Sequence, residues 1–417
     1  MENLSLISEY KISAAAPVGV AVIGLGRGFM LTLPSIIADS RLKLVAACDP
    51  RPEARAAFEE QFGGSSTPHI DELLQTSDVE VVYVASPHQF HKQHAIAALQ
   101  AGKHVLIDKP VAIDLADSRA IIGAAEKHKR HVTVGPCHSF DPQIQASLSL
   151  IKSGQFGRLR MLRANYTTDF VYRPRREEEL KTKAGGGVVF SQGAHQIDIA
   201  RLLSGGLVDK VTAMTGNWDT ARSSEGAYAA LLQFENGVCA NLTYSGYAHF
   251  DSDEQQGWTS ELGIAKDPSQ YGRARRNLKN LPAGASEENL KAERTFGRAD
   301  PLPSNTSNEH FGELFLSLDH ADIQVAPHEL RIYGDDHREV IPVDLARGSR
   351  AGVMEVIWQM ARENNASIQD ARWGHATLEV CHGILNAAST GTWQKMAEQI
   401  AVSDYPSAIT KNARSEL

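Results

Sequence analysis

The chain has 417 residues, 42% of them apolar and 22% charged, a folded-protein profile too long for one ordinary core, so two domains are expected. A net charge of −8 excludes the basic face that a nucleic-acid binder needs, though a small anion can still meet a local basic cluster. Four scattered cysteines without C-x-x-C spacing, no signal-peptide pattern and no apolar run near the roughly 18 residues of a membrane span predict a cytoplasmic protein without disulfides or zinc.

From Val18 onward, short apolar runs alternate with amphipathic stretches. VGVAVIG (18–24) predicts a buried strand, followed by a glycine-rich turn and a helix to about Ala38. LKLVAACD (42–49) and EVVYVAS (80–86) predict the next strands, and HKQHAIAALQAG (91–102) a helix that stops at Gly102. HVLID (104–108), a helix over 114–130 and HVTVG (131–135) continue the alternation. Strands separated by helices of this length mean βαβ units and a parallel sheet, and strands this apolar are buried on both faces. After Phe140 the pattern changes: strands at 158–167, 210–216, 227–235 and 238–247 follow with little helix between them. Asn236-Gly237 between the last two is a hairpin signal. Residues 250–308 are polar and turn-rich and read as an insertion or long loop, and helices at about 351–364 and 374–389 close the chain. The expected architecture is α/β. An N-terminal Rossmann domain with a parallel sheet (17–140) precedes a C-terminal α+β domain with a large, open, mostly antiparallel sheet (141–395), which serves substrate binding and oligomerisation.

The first turn reads Gly24-Leu25-Gly26-Arg27-Gly28-Phe29. Glycines at 24 and 26 let backbone N–H groups approach a pyrophosphate at a helix N-terminus. Phe29 stands where G-x-G-x-x-G has its third glycine, and Gly28 comes one place early. The second strand ends in Asp49, 23 residues after Gly26, about where an acid holds the adenosine ribose. A carboxylate there repels a 2′-phosphate, which points to NAD as cofactor; Arg51 softens that preference and leaves NADP open.

Four further segments resemble the Gfo/Idh/MocA oxidoreductase family. Ser86-Pro87-His88-Gln89-Phe90-His91 is similar to its T-P-N-x-x-H turn, and Gly102 to Pro110 (GKHVLIDKP) to its G-K-H-V-x-x-E-K-P segment, with Asp108 for Glu. GGGVVFSQGAH (185–195) resembles G-G-G-x-x-x-D-x-G-x-H, and the Asn236-Gly237 hairpin is typical of the family. The resemblance implies a two-domain dehydrogenase with the nicotinamide between the domains. By the same resemblance, Ser86, Pro87, His88, His91, Asp108, Lys109 and Pro110 lie at the cofactor, and Lys109 and His195 are the catalytic pair. Ser191 replaces the family's usual Asp four residues before the histidine, so the choice of base between Lys109 and His195 stays open. Within the family, segments such as YRPRR (172–176) and HSFD (138–141) are nearest to the branch that oxidises phthalate cis-dihydrodiols, the 4,5-dihydroxy-4,5-dihydrophthalate dehydrogenases.

Independently of that name, Tyr172, Arg173, Arg175 and Arg176 precede the triple glycine, and together with Ser191 they are the candidate substrate residues. Arginine forks match carboxylates, so this run can hold a dicarboxylate. The competing reading is a solvated loop balanced by its own Glu177, Glu178 and Glu179. His88, His91 and His94 turn too far round a helix to form one metal site, and no metal is expected. The leading expectation is NAD-dependent oxidation of an anionic cis-dihydrodiol to a catechol. Its rivals are a sugar or cyclitol dehydrogenase of the same family and a non-enzymatic nucleotide-binding regulator. A homo-oligomer is expected from the open sheet, with a small anionic substrate as the only other partner.

Overall fold

The computed structural model describes residues 16–282, 284–299, 302, 305–345 and 350–404. The N-terminal half alternates β1 (Val18–Ile23), α1 (Arg27–Ala38), β2 (Leu42–Cys48), α2 (Pro52–Phe62), β3 (Ser65–Thr67), α3 (Ile70–Leu74), β4 (Val81–Val84), α4 (His91–Gln100), β5 (His104–Ile107), α5 (Leu115–His128) and β6 (Val132–Val134). All six strands pair in parallel in the order β3-β2-β1-β4-β5-β6. Every residue of β1, β4 and β6 is buried, as continuous apolar strands between two helical layers require. The order reverses between β1 and β4, and the crevice outside the carboxyl ends of such strands is where ligands bind. Gly24, Asp49, Ser86, Asp108 and Gly135 each follow one of those strand ends.

The second half contains α6 (Pro142–Ser153), β7 (Leu159–Thr167), α7 (Ala194–Leu203), β8 (Val208–Gly216), β9 (Ala227–Phe234), β10 (Cys239–Ser245), α8 (Arg273–Lys279), α9 (Glu287–Ala292), β11 (Glu313–Leu318), β12 (Ala321–Ala326), β13 (Glu329–Gly334), β14 (Arg338–Pro342), α10 (Ala351–Arg362), α11 (Ala371–Thr390) and β15 (Gln394–Lys395). Nine of these strands form one sheet in the order β14-β13-β12-β11-β7-β10-β9-β8-β15. Only the β7–β10 pair is parallel. Alternation along β9 buries Tyr228, Ala230, Leu232 and Phe234 on the helix-covered side and turns Leu231 outward.

Two features differ from the expectations. Residues 313–342 form four further strands, each antiparallel to the next, where the sequence reading placed none. The 250–308 segment contains the short helices α8 and α9. Val353, Met354, Ile357 and Met360 of α10 and Phe296 of the insertion also return to the core beneath β1 and α1. The predicted closing helices are present, with α11 beginning three residues earlier at Ala371, where the Asp370 carboxylate caps the Trp373 N–H.

Candidate active site

The turn after β1 has the close approaches that demand glycine. Gly24 has φ +95°, and a Cβ there would lie 2.9 Å from the backbone of Ala85 and Ser86. A Cβ on Gly28 would lie 2.3 Å from the Asp108 carboxylate. The turn therefore packs against the ends of β4 and β5 and leaves its backbone at the mouth of the crevice, which suits a dinucleotide. Asp49 is almost fully buried and braces this turn: it accepts the Leu25 N–H at 2.8 Å and the Arg51 N–H and Nε at 2.9 and 3.0 Å. Arg51 also donates to the Leu25 carbonyl at 2.8 Å. Phe29 differs from its expected place at the cofactor. Its side chain is fully buried against Phe296, so only its backbone faces the turn.

Beside this turn, His91 is fully buried, with its ring nitrogens 2.9 Å from the carbonyls of Pro110 and Ser86. It fastens the β4 turn to the Asp108-Lys109-Pro110 segment and is a structural clip. His94 Nδ1 lies 2.9 Å from Ser86 Oγ, so both rings are committed to the fold. Burial pushes His88 down to about 3, keeping it neutral against Gly185 of the triple-glycine turn. Pro87 opens the short turn that carries it.

Lys109 and His195 line one small cavity, closed behind by Cys137, Asp198, Trp373 and Cys381. Burial lowers the Lys109 pKa, while Asp108 next to it works in the opposite direction. Lys109 Nζ donates to the Ser191 carbonyl at 2.5 Å. His195 sits at the start of α7, just after a π-helical stretch at Val189–Gly193, a backbone form that recurs at functional sites. Burial and the neighbouring Lys109, His138 and Arg350 hold its pKa well below the usual histidine value. Its Nδ1 has no hydrogen-bond partner among the described residues. The Ser191 hydroxyl donates to the Gly187 carbonyl at 2.6 Å, so at this position the backbone, through Lys109, serves the site.

Four residues that sequence reading did not assign to the site converge here. The His138 ring is 4.7 Å from that of His195, and its Nδ1 lies 2.8 Å from Asp141. Burial presses His138 down to about 4 and raises Asp141 well above the carboxylate range. The carboxylate of Glu309 lies 3.5 Å from Nε of Arg350, whose Nη1 donates to Thr32 at 2.7 Å. His138, Asp141 and Glu309 bring potential ligand atoms within 4.8 Å of one another, but the cation among them is the Arg350 guanidinium. HSFD contained a sequence signal for His138 and Asp141; Glu309 and Arg350 come from distant connections and had none.

The predicted arginine run divides. Arg173 Nη1 bonds Glu261 at 2.7 Å, in the same charged group as Arg27, Arg294 and Arg350. Arg175 stacks 3.8 Å from the Phe170 ring centroid and donates to the Phe170 carbonyl, with Glu179 at 3.8 Å. Arg176 pairs with Glu178 at 2.8 Å and lies 3.7 Å from Glu179. The last two are thus answered within their own run. Tyr172 lies beneath Arg275, whose guanidinium is 3.9 Å from its ring.

Comparison with known proteins identifies the family. Residues 18–136 match the oxidoreductase family with an NAD-binding Rossmann fold, and residues 144–259 match the GFO/IDH/MocA C-terminal domain. The chain is 40% identical over 371 residues to 1-carboxy-3-chloro-3,4-dihydroxycyclohexa-1,5-diene dehydrogenase of Comamonas testosteroni, covering 88% of this chain and 94% of that one. A solved structure from Bordetella bronchiseptica RB50 superposes with a TM-score of 0.87 at 35% identity, over 91% of this chain and all of the other. An Agrobacterium radiobacter oxidoreductase in complex with NAD+, L-tartaric acid and magnesium shares the fold, at 16% identity and a TM-score of 0.68, over 91% of this chain and 98% of that one. The chain belongs to the Gfo/Idh/MocA oxidoreductase family and is an NAD-binding dehydrogenase.

Proposed function

We propose that this enzyme oxidises a carboxylated cis-dihydrodiol of the cyclohexadiene class, 4,5-dihydroxy-4,5-dihydrophthalate, to the corresponding catechol. The observation that carries the reading is the shared cavity of Lys109 and His195, with the Arg350 guanidinium and the Arg173–Glu261 pair (2.7 Å) acting electrostatically on Lys109. Bound NAD+ supplies the hydride acceptor. Lys109, its pKa lowered by burial, takes the proton of the reacting hydroxyl as the carbinol carbon gives up hydride. The Ser191 carbonyl receives the ammonium that forms. Neutral His195 orients the second hydroxyl. The hydroxy-ketone product then tautomerises, and recovery of aromaticity draws the reaction forward. The Comamonas relative acts, by its name, on a ring that likewise carries a carboxyl group and a vicinal diol.

The outward face of the nine-stranded sheet exposes Met161, Met214 and Leu231, which supports a homo-oligomer. We propose a cytoplasmic location, which the dependence on NAD supports. Among the described residues, no helix is long and apolar enough to cross a membrane. The direct test is incubation of the purified protein with NAD+ and the dihydrodiol, following reduced nicotinamide and identifying the aromatic product. Equal amounts of NADH and 4,5-dihydroxyphthalate support the reading; turnover of myo-inositol or glucose alone replaces it with a cyclitol or sugar dehydrogenase.

A further inference from the structure

Asp49 follows β2 at the place where a Rossmann acid meets the adenosine ribose, yet its carboxylate is already engaged by the protein. Oδ1 accepts the Arg51 N–H and Nε at 2.9 and 3.0 Å, and Oδ2 accepts the Leu25 N–H at 2.8 Å and Arg51 Nη2 at 3.1 Å. A carboxylate offers about four acceptor positions, and these bonds fill them. The Asp49 side chain is 6% exposed and that of Arg51 is 24% exposed, so the group that this strand end presents is the guanidinium. Because Asp49 and Arg51 neutralise each other, repulsion by a bare carboxylate does not separate NAD from NADP here.

Arg51 is committed in turn. Besides its side-chain bonds to Asp49, Nη2 donates to the Leu25 carbonyl at 2.8 Å, and Nη1 donates to Thr295 Oγ1 in the insertion. One Nη1 N–H of the fork is left. A ribose 2′-hydroxyl needs no more than one donor, whereas a 2′-phosphate calls for two parallel ones, which Nη1 offers only by releasing Thr295. The threonine is held in place without Arg51. Its own hydroxyl proton goes to the Ala292 carbonyl at 2.6 Å, which leaves the oxygen as an acceptor for Nη1. The next residue, Phe296, is buried edge-on to Phe29 at 5.4 Å and stacked on Phe62 at 5.9 Å, and its N–H donates to the Leu25 carbonyl at 3.2 Å. A Cβ on Gly297, which has φ +82°, would lie 3.2 Å from Ala54 Cα, and Arg298 bonds Glu53 at 2.7 Å.

We propose that Thr295 is a specificity-determining residue for the cofactor: by holding Arg51 on Asp49, it keeps the guanidinium from forking a 2′-phosphate and so favours NAD over NADP. Thr295 acts through Arg51 and is a positioning residue. The selectivity is independent of which substrate the enzyme oxidises, because Asp49 and Arg51 stand where the fold receives the adenosine half of a dinucleotide.

The test uses the full-length protein without substrate. NAD+ and NADP+ affinities are measured calorimetrically for the wild type, Thr295→Val, Thr295→Ser and Arg51→Ala, with melting temperatures in parallel. The wild type should bind NAD+ the more tightly. Thr295→Val keeps the branched shape and loses the acceptor. It should lower the ratio of the NADP+ to the NAD+ dissociation constant by about tenfold, since a hydrogen bond to a charged group is a strong one. Thr295→Ser, which keeps the hydroxyl, should keep the wild-type ratio, and adding Thr295→Val to Arg51→Ala should leave the ratio unchanged. Equal affinity of the wild type for the two dinucleotides, an unchanged ratio in Thr295→Val, the same fall in Thr295→Ser, or a fall that persists without Arg51 each overturns the assignment. Parallel weakening of both dinucleotides with a lower melting temperature makes the contact structural only, and overturns it too.

Discussion

Lys109 and His195 face the same cavity, yet their protonation behaviour separates their roles. Burial lowers the Lys109 pKa from its ordinary value of 10.5, and it drives His195 well below 6.5. A base must be deprotonated to act, so kcat/KM for diol oxidation should rise with pH through the pKa of whichever group serves. With Lys109 as base, the rising limb lies below 10.5. With His195 as base, the rate is already flat above pH 6.5. Lys109→Ala should remove the limb and lower kcat by about 10²–10⁴, and His195→Ala should lower kcat while keeping the limb in place. Retention of the limb in Lys109→Ala would transfer the base to another group.

The buried histidines also set the acid limit of stability. His88 at about 3, His138 at about 4 and His195 well below 6.5 all have pKa values lower folded than unfolded. Below pH 6.5 the unfolded chain therefore binds more protons, and stability falls as pH drops from 6.5 toward 4. The buried Asp141, with its raised pKa, works in the opposite direction over the acid range. Denaturant midpoints at pH 7 and pH 5 should show the loss, and His88→Gln should reduce the difference between them.

Among the elements, the strap formed by residues 295–298 ties the insertion to the dinucleotide turn: Thr295 Oγ1 accepts from Arg51, and the Phe296 N–H donates to the Leu25 carbonyl at 3.2 Å. Phe296→Ala removes a buried ring shared by Phe29 and Phe62 and should cost about 3–5 kcal/mol. The same change should weaken NAD+ binding, because the strap holds the Leu25 carbonyl and Arg51 at the dinucleotide turn. Unchanged urea midpoints would show that the strap is not anchored by its aromatic contact. Gly24 and Asp49 were legible because each follows a strand end, whereas Lys109 and His195 were legible through the resemblance of GKHVLIDKP and GGGVVFSQGAH to family motifs. Thr295, Glu261 and Glu309 had no such signal, since a polar, turn-rich stretch reads as solvated loop until its far contacts are known. Alternation in ELFLSL (313–318) was a readable strand signal, and β11–β14 were missed beside that loop.

For the whole molecule, α10 and α11 are among the elements that tie the halves together: α10 packs under β1, and α11 reaches α5, where His375 Nδ1 lies 2.7 Å from Ser118 Oγ. The open sheet face is the surface left to pair. Met214, 78% exposed on β8, and Leu231, 44% exposed on the adjacent β9, should anchor a contact between copies. Met214→Asp with Leu231→Asp should shift the sedimentation coefficient to that of a monomer without a drop in melting temperature exceeding a few degrees. An unchanged coefficient would place the contact elsewhere.

The substrate claim meets its sharpest test in a ratio of specificity constants. Measured with NAD+ and one enzyme preparation, kcat/KM for 4,5-dihydroxy-4,5-dihydrophthalate should exceed that for the neutral cis-dihydrodiol of benzene by at least about a thousandfold, because a buried cation left without its carboxylate is costly. Comparable constants for the two diols, or faster turnover of myo-inositol than of either, would contradict an active site built for a carboxylated ring.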